Sequence, residues 1–170
     1  MSTGRTAGAV YLAYFVAAIV AQGLMSRVRP VSNAVEVLST LLYVVLTLLL
    51  YGLFRRVNSL VALVAVALSL AGCVTMTLEQ FHVATPVRFL LLFGAYDAIV
   101  GYLIVVSGLV PRAIGGLLIA AGIGWMFSTL APGEQPRFVA AGIEGLGFAA
   151  ELAFMFWLLV RGVDVPAARA

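Results

Sequence analysis

Three carboxyls occupy places where a carboxyl is costly. Asp97 lies in the apolar run 89–110, and Glu144 and Glu151 lie in the run 138–160. An ionisable group inside bilayer hydrocarbon costs about 3 kcal/mol or more, so each one is a functional candidate by default. All ten arginines sit at the ends of apolar runs or between them, so no cation stands at comparable depth. Acids without a cation admit two chemistries. One is neutral hydrogen bonding between helices. The other is exchange of a proton, or binding of a cation or cationic ligand, reached from water.

Spacing orders these groups. Glu144 and Glu151 are two helical turns apart, so they point the same way about 10 Å apart along the axis. Gly94 and Gly101 flank Asp97, which sets it beside a close-packing face and away from lipid. If both runs cross inward, Asp97 is expected roughly 12–13 Å below the outer end, Glu144 about 9 Å and Glu151 about 20 Å. Gln22, Glu36, Glu79, Gln80 and His82 stand at the outer ends of the first three runs. With Tyr96, Asp97 and Glu144 they are expected to line an acidic vestibule open to the outside. In the contrary reading the end residues are solvated caps and the deep acids are hydrogen-bonding glue.

Other chemistries fail on residue type. Tyr96-Asp97 is half of the intramembrane aspartyl-protease signature, but Gly145-Leu146-Gly147 is followed by Phe148 where the second aspartate belongs. His82 is the only histidine, which excludes bis-histidine haem ligation within one chain. As a lone interfacial histidine it reads as a solvated loop residue and not as the base of a serine triad. Cys73 is the only cysteine, so neither an intrachain disulfide nor a cysteine-rich metal site forms. The glycine pairs near 115–124 lie within an apolar run and read as packing, not as a phosphate cradle. The balance leans away from an enzyme.

The elements that must position the acids are membrane helices. Hydrophobic residues make up 64% of the 170-residue chain and charged residues 10%, against about 45–50% and about 25% in soluble domains. A soluble fold of this size could not hide that much apolar surface. The net charge of +3 is carried by dispersed arginines with no lysine, so no basic stripe supports nucleic-acid binding. Arginine used throughout fits a GC-rich bacterial genome. About 20 apolar residues span a bilayer, and six runs qualify: 7–25, 35–54, 60–78, 89–110, 113–130 and 138–160. The expected architecture is all-α, a six-helix polytopic bundle forming a single transmembrane domain over 1–170. Arg5 precedes an apolar run, but that run is too long for a signal peptide. Arginine counting favours cytoplasmic termini, with Arg5, Arg55, Arg56, Arg112, Arg161 and Arg169 inside against Arg27, Arg29, Arg88 and Arg137 outside.

Small residues recur at four-residue spacing. Gly116, Ala120 and Gly124 share one face, as do Ala141, Gly145, Ala149 and Ala153. Such faces let helix backbones approach closely. They are expected to pack within the bundle or to form a seam for a homo-oligomer or a larger membrane complex. The aromatics Tyr43, Tyr51, Phe54, Tyr102, Trp125, Phe127, Phe154, Phe156 and Trp157 read as lipid-facing or core residues, with Trp157 suited to the interface.

Several segments also carry a resemblance. Arg5-Thr6-Ala7-Gly8-Ala9-Val10-Tyr11-Leu12, Phe54-Arg55-Arg56-Val57-Asn58, Phe93-Gly94 through Gly101-Tyr102-Leu103-Ile104, Ser107-Gly108 and Pro111-Arg112 form the set. Gly115 or Gly116, Ala121-Gly122, and Glu151 followed by Trp157-Leu158-Leu159-Val160-Arg161-Gly162-Val163 complete it. Across most of its length the chain resembles the bacterial membrane-protein family called domain of unknown function 4386. The resemblance implies six helices and no established activity. It also implies, in many members, a histidine where this chain has Tyr96, whose role is here either lost or taken by neighbouring Asp97.

These readings converge on a bacterial inner-membrane protein in a lipid bilayer. Two function classes stay open. One is small-solute, proton or cation handling through the buried carboxyls. The other is a non-catalytic accessory or scaffold subunit packed against a larger complex. No inverted repeat mirrors the deep acids in the first half, which weighs against a transporter.

Overall fold

The computed structural model describes residues 2–24, 28–131, 133 and 135–163. Six helices make up almost all of it: α1 (Thr3–Leu24), α2 (Arg29–Phe54), α3 (Ser59–Gln80), α4 (Phe89–Ser107), α5 (Arg112–Leu130) and α6 (Arg137–Val160). All six are long and apolar enough to cross a bilayer. The expected end of the first helix at Met25, together with Arg27 and Arg169 from the arginine count, lies outside the described residues.

Local chemistry sets the helix ends. α2 starts at Arg29, six residues before the expected Val35, because Pro30 opens its first turn. Proline is tolerated there, since its missing N–H has no helical partner to lose. α3 is capped by Asn58, whose side chain accepts from the Val61 amide at 3.1 Å. α4 stops at Ser107, short of the expected 110, because Gly108 takes a left-handed conformation (φ 65°) and its amide closes on the Ile104 carbonyl. Pro111 then precedes α5, and Pro136 precedes α6.

The helices form a closed ring in chain order. Each packs on the next, and α1 packs on α6. At the closure the Gly4 amide donates to the Val163 carbonyl at 3.3 Å, which brings both ends of the described chain to one side. A Cβ on Gly8 would run into the backbone of Leu159. The N-terminal and C-terminal segments of the sequence resemblance are therefore the two faces of one seam. Between helices, the Ser32 hydroxyl donates to the Ala21 carbonyl at 2.9 Å, and the Thr47 and Ser69 hydroxyls share a bond of 2.6 Å. Leu41, Leu48, Leu63, Ile123, Phe127 and Phe156 point outward, as a surface solvated by lipid requires.

Two expected packing faces are set differently. α5 meets α4 through Gly115, Leu118, Ala121 and Gly122, while Gly116 and Ala120 face outward. Ala141, Gly145 and Ala149 are exposed as well, and nothing approaches Gly145. The physical reason is the partner's relief: α4 offers Gly94 and Gly101, and α5 turns its own glycine pair of matching spacing toward them. Gly124 does lie against protein, with Cγ2 of Ile143 on α6 3.1 Å from where its Cβ would stand.

Candidate functional site

The ring interior gathers polar groups from four helices. α1 contributes Tyr11, α2 contributes Tyr43 and Thr47, α4 contributes Tyr96 and Asp97, and α6 contributes Glu151; all six are buried. Among the described residues Asp97 and Glu151 are the two buried acids, 2% and 7% exposed, and no arginine is buried. Tyr11 stands beside the Glu151 carboxyl. The Tyr96 hydroxyl lies beside Thr47 and Tyr43. Oδ2 of Asp97 is buried without a hydrogen-bond partner.

Aromatic packing builds the walls. Tyr11 stacks on Phe15 at 5.4 Å between ring centroids and meets Phe154 edge-on at 6.1 Å. Tyr43 stands 5.9 Å from both Tyr96 and Phe93 and 4.9 Å from Tyr14. Such offset and edge contacts suit the ring quadrupoles and hold the rings in fixed orientation. The tyrosines thus carry hydroxyls to mid-helix depth at little entropic cost. From the sequence, Tyr96 is a site candidate and Tyr43 a lipid-facing or core residue, while Tyr11 and Tyr14 are given no chemical role. Their positions were a usable signal, because interfacial tyrosines belong at helix ends, whereas Tyr11, Tyr14, Tyr43 and Tyr96 lie well inside their helices.

The expected vestibule does not assemble as a unit. Gln22 and Glu144 are exposed and Glu36 is half-buried. Glu79 is bound into the connection before α4, where its Oε1 accepts from the Thr85 hydroxyl at 3.0 Å and from the Phe89 amide at 3.3 Å. That carboxylate satisfies a free amide at a helix N-terminus, where negative charge is favoured. Glu144 shares a helical face with Glu151 yet is exposed, beyond the Phe15–Phe148 contact at 5.7 Å between α1 and α6. Ile19, one turn further along α1, is exposed too. What the structure brings together is Tyr96, Asp97 and Glu151, with Tyr11, Tyr43 and Thr47 added.

At the C-terminal end of α6 the Arg161 guanidinium lies 5.7 Å from the Trp157 ring centroid. This cation–π pairing holds an arginine at the edge of the apolar region.

The profile of the family described as Domain of unknown function (DUF4386) covers residues 74–162, more than half of the chain, and the chain belongs to that family. The matched span runs from the second half of α3 through α6 and includes both buried acids. No curated protein and no solved structure matches it.

Proposed function

We propose that this member of the DUF4386 family, an integral membrane protein, handles protons or a small cationic solute through Asp97 and Glu151. The observation that carries the reading is the unpartnered, buried Oδ2 of Asp97. A buried polar atom without a partner forfeits a hydrogen bond, so its retention asks for a reason. A proton or a cation arriving at Asp97 supplies the missing partner. Glu151 beside Tyr11, and Tyr96 beside Thr47 and Tyr43, form the polar surroundings that such a guest needs in hydrocarbon. Gln22, Glu36 and Glu144 lie toward the outer side of this site in our assignment, with Glu79 serving the loop. The chain is assigned to a bacterial inner membrane with both termini cytoplasmic, on the arginine balance.

The test is reconstitution of the purified chain into vesicles with an internal pH dye. An imposed pH or cation gradient should relax faster with the wild-type chain than with Asp97→Asn. Equal rates for the two, together with a larger protein recovered in fixed ratio after mild-detergent purification, would replace this reading with the accessory-subunit one. The outward glycines Gly116 and Gly145 favour that second reading, since they offer a partner helix close approach.

A further inference from the structure

We propose that the cavity among α1, α2, α3 and α4 is a binding site for a small, neutral, ring-bearing molecule dissolved in the membrane. The cavity measures about 120 Å³. Apolar cavities of about 150 Å³ admit benzene. Here the rim is only half-covered by Met76, Phe89 and Leu90, so part of a guest can lie in the mouth.

The lining selects the guest. Tyr14, Tyr43 and Phe93 form a connected aromatic wall, with centroid separations of 4.9 and 5.9 Å. α3 supplies the Cys73 and Met76 sulfurs. Aromatic faces favour offset stacking with a ring, and sulfur favours ring edges. A flat ring also loses less freedom on entry than a flexible chain. No carboxyl or guanidinium lines the space, and the Ser69 hydroxyl is already bonded to Thr47, so a charged guest would find no partner. Asp97 and Glu151 are absent from the lining, so the cavity adjoins the polar cluster through Tyr43 without opening onto its acids.

Photolabelling of the full chain in phospholipid vesicles tests the site, with 3-trifluoromethyl-3-phenyldiazirine as the probe and peptide mass spectrometry as the readout. Adducts are expected on Cys73, Met76 and Phe93. Toluene should suppress them, and n-hexane at the same bilayer concentration should not. Cys73→Leu fills the space and should lower labelling of Met76 and Phe93 by about tenfold. The competition in the unaltered chain stands whether or not that variant inserts. Adducts confined to outward residues such as Leu41, Leu48 and Val74 would overturn the proposal. So would equal suppression by hexane, which would make the space a seat for a lipid chain.

Discussion

Gly101 and Gly115 meet backbone to backbone. A Cβ on Gly101 would stand 2.5 Å from the Gly115 carbonyl oxygen, and one on Gly115 would stand 2.7 Å from that of Gly101. Two turns along each helix, Gly94 and Gly122 repeat the contact in the antiparallel sense. Backbone cannot yield as a side-chain tip can, so Gly101→Ala should cost about 1–3 kcal/mol through overpacking. Gly116 has open space around it, and Gly116→Ala should stay within about 0.5 kcal/mol of the wild type. Thermal melts in one mild detergent compare the two. A Gly101→Ala chain that melts with the wild type would mean a slack α4–α5 seam.

That seam shows what was legible in the sequence and what was not. Helix number and type follow from apolar run length, because the bilayer fixes the length of a span. The rotational setting of α5 does not. Positions 115 and 122 and positions 116, 120 and 124 both place small residues on a face, and lipid leaves no polar side to distinguish out from in. Only the relief of α4 decides between them. The burial of Asp97 and Glu151 followed from the penalty on lipid-exposed acids. The exposure of Glu144 depends on what the neighbouring helices bring alongside α6 at that level, which no residue of α6 encodes by itself.

The ring closure bears on orientation. Gly4 and Val163 are hydrogen-bonded across α1 and α6, so reporters fused to the two termini should give the same answer. The arginine balance says that answer is cytoplasmic. Reporters after Arg56 and Arg112 should agree with the termini, and those after Val83 and Gly133 should read external. An external signal at Arg56 would invert the assignment, and the acids would then open toward the other side.

Glu79 should behave as a structural residue. Glu79→Ala removes the acceptor for Thr85 and Phe89, with a cost of about 0.5–2 kcal/mol by analogy with lost helix caps. Glu79→Gln keeps an oxygen acceptor and loses only the charge at the α4 N-terminus, about 0.3–1 kcal/mol. Melting midpoints should therefore rank wild type, Gln, Ala. Transport in vesicles should be retained by both variants. Loss of transport in a well-folded Glu79→Gln would return this residue to the functional set.

The buried acids separate structure from function most sharply. Asp97→Asn and Glu151→Gln keep size and hydrogen-bonding capacity while removing ionisation. Hydrogen bonds between membrane helices average only about 0.6 kcal/mol, so either variant should fold and melt within about 1 kcal/mol of the wild type. The consequences for function should differ in degree. Oδ2 of Asp97 is buried and has no partner, whereas the Glu151 carboxyl has the Tyr11 phenol beside it; Asp97→Asn should therefore abolish gradient relaxation. Glu151→Gln should reduce it, and Tyr11→Phe should mimic that reduction if the neighbouring phenol tunes the carboxyl. Infrared difference spectra across a pH step give a second readout. A carboxyl band present in the wild type and absent from Asp97→Asn would place the exchanging proton on that side chain. Intact transport in a folded Asp97→Asn chain would reduce both acids to glue between helices.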